Sequence, residues 1–373
     1  GMSILLVALP IVLVGDGHSY TVAALVAGAG GAGAALAALP VGWCTDRWGP
    51  ARVGAGALLA IIGASILMAS VSRPVFLGLG HLVFGGGSLA VMLSRQSDLT
   101  RRIPITLRGR AMSLMGGTMR FSVLMGTAVG GFLVDVAGAR WTFLIAGVGA
   151  AIGLPAVLPG VRNPDWEVAP VGVKGPRMAW VIRANKRHLL HAGLFGMSSM
   201  TTREGRMVLL PLVGVALDLR PTTIGVLVAS GYAADLILFP VSGAIMDRVG
   251  RLAAMVPAYG LLAVGLLCLL VADSATGVLL AGLVMGLGNG LSAGSLFTLS
   301  SDLAPEEGTA SFLSAVSMLT DVGRVIGPLL VGLVAGRWGL DAAAVALAVA
   351  MVLGLVWLSA VVGETGGRTG NRP

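Results

Sequence analysis

Eight residues able to carry charge stand inside long apolar stretches of this sequence: His81, Arg120, Arg203, Glu204, Arg206, Asp235, Asp321 and Arg324. A charge in such surroundings is costly unless it is paired or wetted, so these residues mark either locked ion pairs or a path for ions and polar solutes. The chemistry on offer is proton carriage by carboxylates and recognition of charged groups by arginines. Asp235 has no charged neighbour within one helical turn and is the expected proton carrier. Asp321 has Arg324 three residues on, a spacing at which the two can simply neutralise each other. Its other expected role, with Arg120, is to orient a solute or to close two elements together. Arg203, Glu204 and Arg206 crowd one helical turn and join the same set. His81 is alone on its stretch: it either packs with one hydrogen bond or, because imidazole titrates near neutral pH, relays a proton.

Other chemistries find little support. HExxH is absent, and GLSAG at Gly290–Gly294 fits GxSxG but lies in an apolar stretch without the strand–turn–helix a nucleophile elbow needs. No Walker-type phosphate loop is present. Cys44 and Cys268 are expected to pack as free thiols, and no spacing suggests a metal. Neither enzyme activity nor a cofactor is expected. Met112, Met115, Met119 and Met125 either pack or line an adaptable pocket.

The elements that position these residues follow from composition. Hydrophobic residues make up 56% of the 373, charged residues 11%, and mean hydropathy is +0.91, whereas a soluble domain carries about 25% charged residues. The expected fold is an all-α membrane protein of twelve transmembrane helices in two six-helix halves. The spans are predicted at about 2–15, 21–43, 53–72, 75–95, 110–134 and 141–159, then 188–214, 221–245, 252–272, 276–299, 309–335 and 340–362. The halves are thus 1–159 and 188–362, joined by a central loop at 160–187 and followed by a tail at 363–373. No cleavable signal peptide is expected.

Seventeen basic residues fall on one side of that arrangement. They include Arg47, Arg52, Arg95, Arg248 and Arg251, six in the central loop (among them Lys174 and Arg177), and Arg368 and Arg372 in the tail. The other side holds Arg73, Arg140, Arg220 and Arg337. This bias places both termini and the central loop in the cytoplasm. The net charge of +8 is therefore topological, and the expected partner is the lipid bilayer rather than nucleic acid.

The two halves repeat at an offset of 201 residues. GWCTDRWGPAR from Gly42 falls on GAIMDRVGRLA from Gly243, and Gly126, Gly131 and Gly138 fall on Gly327, Gly332 and Gly339. Arg120 and Asp321 coincide with opposite charge, and Pro10 falls on Pro211. The seventh span starts well before Pro211, whereas residues 2–15 reach about 20 Å at about 1.5 Å per residue, short of a hydrocarbon core of about 30 Å. A truncated first helix is therefore expected.

Gly42, Asp46, Arg47 and Gly49, and again Gly243, Asp247, Arg248, Gly250 and Arg251, resemble the loop G-x-x-x-D-R-x-G-R-R of the major facilitator superfamily. Pro50 and Ala51 stand where that pattern has basic residues. GTAVGGFLVD from Gly126 and GRVIGPLLVG from Gly323 are similar to the family's antiporter motif, with Thr127 in place of its proline and Pro328 in the other half. The resemblance implies a secondary transporter working by alternating access, with the two loops latching its cytoplasmic side. Gly126, Gly131, Gly327, Pro328 and Gly332 would serve as packing or hinge points. The expected function is proton-coupled export of small amphipathic or drug-like molecules by a monomer in the plasma membrane. Alternatives are proton-symport uptake of a metabolite, or a membrane binding or signalling protein on the same fold.

Overall fold

The computed structural model describes residues 1–102, 105–162, 178–305 and 307–365. Its helices in chain order are α1 (Met2–Gly15), α2 (Tyr20–Trp48), α3 (Pro50–Ser70), α4 (Pro74–Arg102), α5 (Ile105–Arg162), α6 (Met178–Ala184) and α7 (Lys186–Ala216). They continue with α8 (Pro221–Val249), α9 (Arg251–Cys268), α10 (Ala275–Leu291), α11 (Ser295–Asp302), α12 (Thr309–Trp338) and α13 (Leu340–Trp357). No strand occurs among the described residues. Lys174, Arg177, Arg368 and Arg372 lie outside them, and so do most of the predicted central loop and tail.

Among the described residues, nine helices are long and apolar enough to cross a membrane. Large apolar side chains stay exposed along them, including Leu36 at 70%, Ile152 at 73% and Ile237 at 73%. Water would penalise such a surface, whereas lipid does not, and a helix satisfies its backbone internally as the hydrocarbon core demands. The chain is an integral, multi-pass membrane protein. Two predicted spans, 110–134 and 141–159, fall in the single helical run of α5, interrupted at Gly138, where φ is 77°. The span predicted at 276–299 divides into α10 and α11. α7, over the span predicted at 188–214, is 31 residues long, carries Arg203, Glu204 and Arg206 in its interior, and is not among those nine.

The 201-residue offset recurs in the backbone. α2 and α8 have coincident limits under it. So do the residues that end helices with positive φ: Gly17 (82°) with Asp218 (52°), Gly49 (84°) with Gly250 (108°), and Gly138 (77°) with Gly339 (89°). Such a φ disfavours a Cβ, which is why glycine fills five of these six positions.

The described residues gather into two units, one within Gly1–Gly172 and Asp218–Ala229, the other within Val173–Leu217 and Ser230–Pro373. In the first, α2 runs along α4, and a Cβ at Gly33 or Gly85 would strike the facing backbone at Leu82 or Gly30. α1 lies on α5, where Gly126 faces Ser3 and Gly130 faces Ile4. Gly131 faces Pro221 and Gly225 at the start of α8. In the second unit, α12 runs along α7. Gly323 and Gly327 meet Met197 and Thr201 there, and Gly332 is buried. α10 approaches α8 where Gly286 meets Gly231 and Gly290 meets Asp235. Phe195 and Tyr259 close the core between α7 and α9, edge to face at 5.0 Å.

Candidate functional site

The second unit brings together six of the eight charges found in apolar sequence. Where α12 runs along α7, Arg324 Nη2 lies 3.2 Å from Asp321 Oδ1 and its Nη1 lies 3.9 Å from Glu204 Oε1. The glycine contacts make this possible, because only a close α7–α12 approach lets side chains of both helices share one guanidinium. Pro328 adds to it: it lacks the N–H that would bond the carbonyl of Arg324, four residues earlier.

Deeper in the unit stands a second group. Asp235 is 2% exposed, and its Oδ2 accepts a hydrogen bond of 2.9 Å from Asn289 Nδ2. The α8–α10 contact at Gly286 and Gly290 brings these two side chains into reach. Arg206, 4% exposed, lies over the Tyr232 ring at 5.7 Å, and the charges of Asp235 and Glu204 both act on it. Arg203 Nη2 donates to Ser292 Oγ at 2.7 Å and to Tyr259 Oη at 3.3 Å, with its guanidinium 5.5 Å from the Tyr259 ring centre. Tyr259 Oη is in turn 3.1 Å from Ser295 Oγ.

Ser292 and Ser295 flank the break between α10 and α11, where Gly294 takes φ 76°. The freed carbonyls are satisfied locally: Ser242 Oγ, on α8, donates to Leu291 O at 2.8 Å and to Ala293 O at 2.6 Å. Sequence explains the break. Residues 290–295 read GLSAGS, with two glycines and two serines whose hydroxyls compete for backbone bonds. The equivalent residues 89–94 read LAVMLS, and α4 passes through them unbroken. The formal GxSxG match is thus a helix interruption rather than a nucleophile elbow.

The remaining candidates lie elsewhere. Arg120 is half-buried on α5 of the first unit. His81 is fully buried in that unit; its Nδ1 donates to Val26 O at 2.9 Å, and its Nε2 faces Gly30, where a Cβ would come within 2.6 Å. It ties α4 to α2 and has no room for a solute. Asp46 and Arg47 are exposed, and Arg47 stacks 5.4 Å from the Trp43 ring. Gly42 and Gly243 have open space around them, and Arg248 is exposed. The side chain of Asp247 lies outside the described residues. Arg251 Nε holds Asp302 Oδ2 at 3.3 Å, and the first backbone N–H groups of α9, at Arg251 and Leu252, donate to the Glu364 carboxylate at 2.7 and 2.9 Å.

Sequence reasoning missed Asn289, Tyr259, Ser242, Ser292, Ser295 and Glu364. Neutral polar residues carry no penalty large enough to stand out in an apolar stretch, and their partners come from other helices. The Gly–Ser run at 290–295 was the available signal.

Comparison with known proteins agrees with this architecture. The family model of the Major Facilitator Superfamily matches residues 1–202 and again 192–372. The chain is 26% identical over 321 residues to the uncharacterized MFS-type transporter YwfA of Bacillus subtilis (strain 168), covering 81% of this chain and 74% of that one. It is 32% identical over 123 residues to the multidrug resistance protein B homolog of Mycobacterium tuberculosis (strain ATCC 25618 / H37Rv), covering 31% of this chain and 21% of that one. A crystal structure of the nucleoside transporter NupG, in a mutant form, superposes with a TM-score of 0.78 at 14% identity, covering 96% of this chain and 95% of that one. Repeated family match, helical fold and membrane composition lead to one conclusion: the chain belongs to the major facilitator superfamily and is a transporter rather than an enzyme.

Proposed function

We propose that this transporter exports small amphipathic or drug-like molecules in exchange for protons. Twelve spans in two six-helix halves would rock about a midplane site, with both termini in the cytoplasm of the plasma membrane. Asp46 and Asp247 would latch the cytoplasmic side. The observation that carries the reading is the balanced set of three arginines and three carboxylates brought together by α7, α8 and α12 of one unit, beside an interrupted helix. A scaffold that moved nothing would not need such costly groups there. The local likeness to a multidrug resistance protein favours export. Asp235 is the coupling carboxylate in this reading. It is buried, held in place by Asn289 and electrically linked to Arg206. Neutralising it with a proton frees the arginine side of the cluster for a substrate, so that proton and substrate compete.

The test compares two fluxes in proteoliposomes, gradient-driven transport and equilibrium exchange. Asp235→Asn abolishes the first and spares the second, because exchange needs no net proton movement. Full gradient-driven flux in that variant removes Asp235 from coupling, and reversing the sign of the pH gradient separates export from symport.

A further inference from the structure

The arginines of the second unit differ in what holds them. Arg324 has two carboxylates, Asp321 and Glu204. Arg206 lies in the fields of Asp235 and Glu204, over an aromatic face. Arg203 is hydrogen-bonded among the described residues only by neutral hydroxyls, those of Ser292 and Tyr259. Its Nε–H, like that of Arg324, is buried and has no hydrogen-bond partner among those residues, but Arg324 already holds two carboxylates through its Nη groups. Arg203 shares the field of Glu204 but is hydrogen-bonded to no carboxylate among the described residues, so its geometry is fixed by hydroxyls and its Nε–H donor edge is unfilled. Guanidinium recognises carboxylate through paired N–H donors, one of which is the Nε–H left over here.

The surroundings are built to keep that donor edge in place. Tyr259 is fully buried, and its hydroxyl is linked to Ser295 on the far side of the break between α10 and α11. Ser292 Oγ and Ser295 Oγ donate to the carbonyls of Asn289 and Ser292, at 3.0 and 2.7 Å, so the hydroxyl protons point into the interrupted backbone and the oxygens are left to accept from Arg203 and Tyr259. Asn289 Oδ1, buried within the same turn, is a further polar atom without a partner among the described residues. None of these residues has a polar counterpart in the first repeat except Ser295 and Asn289. Positions 2, 58 and 91 are Met, Leu and Val, while 88 and 94 are Ser. Arg203, Tyr259 and Ser292 are therefore specific to one copy and are not a requirement of the repeated fold.

We propose that Arg203, set against the break between α10 and α11, binds the carboxylate of an amphipathic organic acid, so that the exported molecules are organic anions rather than cations. This rests on the reading that the second unit holds the substrate site. On arrival, the acid's oxygens take the Nε–H and an Nη–H of Arg203, and its apolar body remains in the apolar surroundings of the spans.

The probes are octanoate and benzoate, with octanamide and benzamide as uncharged controls, measured as shifts in melting temperature of the purified protein. A ligand that binds only the folded state raises that temperature. Both acids should stabilise the protein and the amides should not. Arg203→Gln should weaken acid binding roughly tenfold to a hundredfold, the loss expected for a charged hydrogen bond. Ser292→Ala and Tyr259→Phe leave the charge in place and should weaken it severalfold by loosening the guanidinium. Stabilisation by neither acid, equal stabilisation by the amides, or unchanged acid affinity in Arg203→Gln overturns the assignment. Should Arg203→Gln fail to fold, unchanged affinity in both hydroxyl variants does the same. The two readings fail separately. Gradient-driven efflux of the cationic dye ethidium without acid binding keeps the transporter and discards the anion site. Acid binding through Arg203 with no flux under either gradient keeps the site and discards proton-coupled export.

Discussion

Two arginines of the second unit should differ sharply in what their removal costs. Arg206 is 4% exposed and Asp235 2%, so replacing Arg206 with Met leaves a deeply buried carboxylate without the cation that acts on it. If the field between them acts as a buried pair does, the loss is about 3–5 kcal/mol. The side chains of Arg324 and Asp321 are 32% and 34% exposed, and that of Glu204 is 20% exposed. Solvent screens that triad, placing Arg324→Met nearer the surface-pair range, at about 1 kcal/mol. At roughly 2 °C of melting temperature per kcal/mol for a large domain, Arg206→Met loses about 6–10 °C and Arg324→Met about 2 °C. The assay is thermal unfolding in detergent followed by loss of the monodisperse peak, run on a double-mutant cycle with Asp235→Leu. Removing both partners leaves no uncompensated charge, so Arg206→Met/Asp235→Leu should recover much of the loss, with a coupling of about 1–3 kcal/mol. Additive losses in the cycle, or equal losses for the two arginines, would refute the electrostatic coupling of Arg206 to Asp235.

Two further outcomes test how the site is positioned. Gly290→Ala puts a Cβ within 2.8 Å of the Asp235 carbonyl and 2.9 Å of Leu238 Cβ. It should separate α8 from α10, costing about 1–3 kcal/mol by overpacking and reducing coupled transport as Asn289 leaves Asp235; an unchanged melting temperature would place the two helices further apart. Glu364→Gln removes a charge and one of two acceptors from the start of α9, a loss of about 0.5–2 kcal/mol for a capping group. Backbone hydrogen exchange at residues 251–254 should quicken there, and unchanged exchange would make the cap incidental.

Much of this architecture is legible in the sequence because lipid enforces it. Apolar length gives helices, and Gly49, Gly138, Gly250 and Gly339 end or bend them where a Cβ is disfavoured. The charges in apolar sequence also announce themselves, and six of the eight meet in one unit. Their pairing is less legible. Asp235 has no charged neighbour on its own helix, yet α7 supplies Arg206 and α10 supplies Asn289. Spacing along one helix cannot report what a facing helix brings. The same reason hid Glu364, which reaches α9 from the end of the chain.

The glycines and the charges divide the work differently between the two copies of the repeat. Gly85 packs against Gly30 in α2 and α4, and its counterpart Gly286 packs against Gly231 in α10 and α8, so close helix approach is common to both copies. Four residues later the copies diverge: the first has Leu89 and an unbroken helix, the second Gly290 and a break. Close approach excludes water and lipid from the contact. A charge placed there must be answered by the facing helix, as Asn289 answers Asp235. The break exposes backbone carbonyls that demand the same answer, and Ser242 gives it. Each of these buried polar groups recruits another from a neighbouring helix, until Arg203 is reached, where the hydrogen bonds go to neutral hydroxyls and Glu204 acts only through its field. A guanidinium that ends such a chain with a buried spare Nε–H keeps a donor edge for a carboxylate from outside, as the proposed anion site requires.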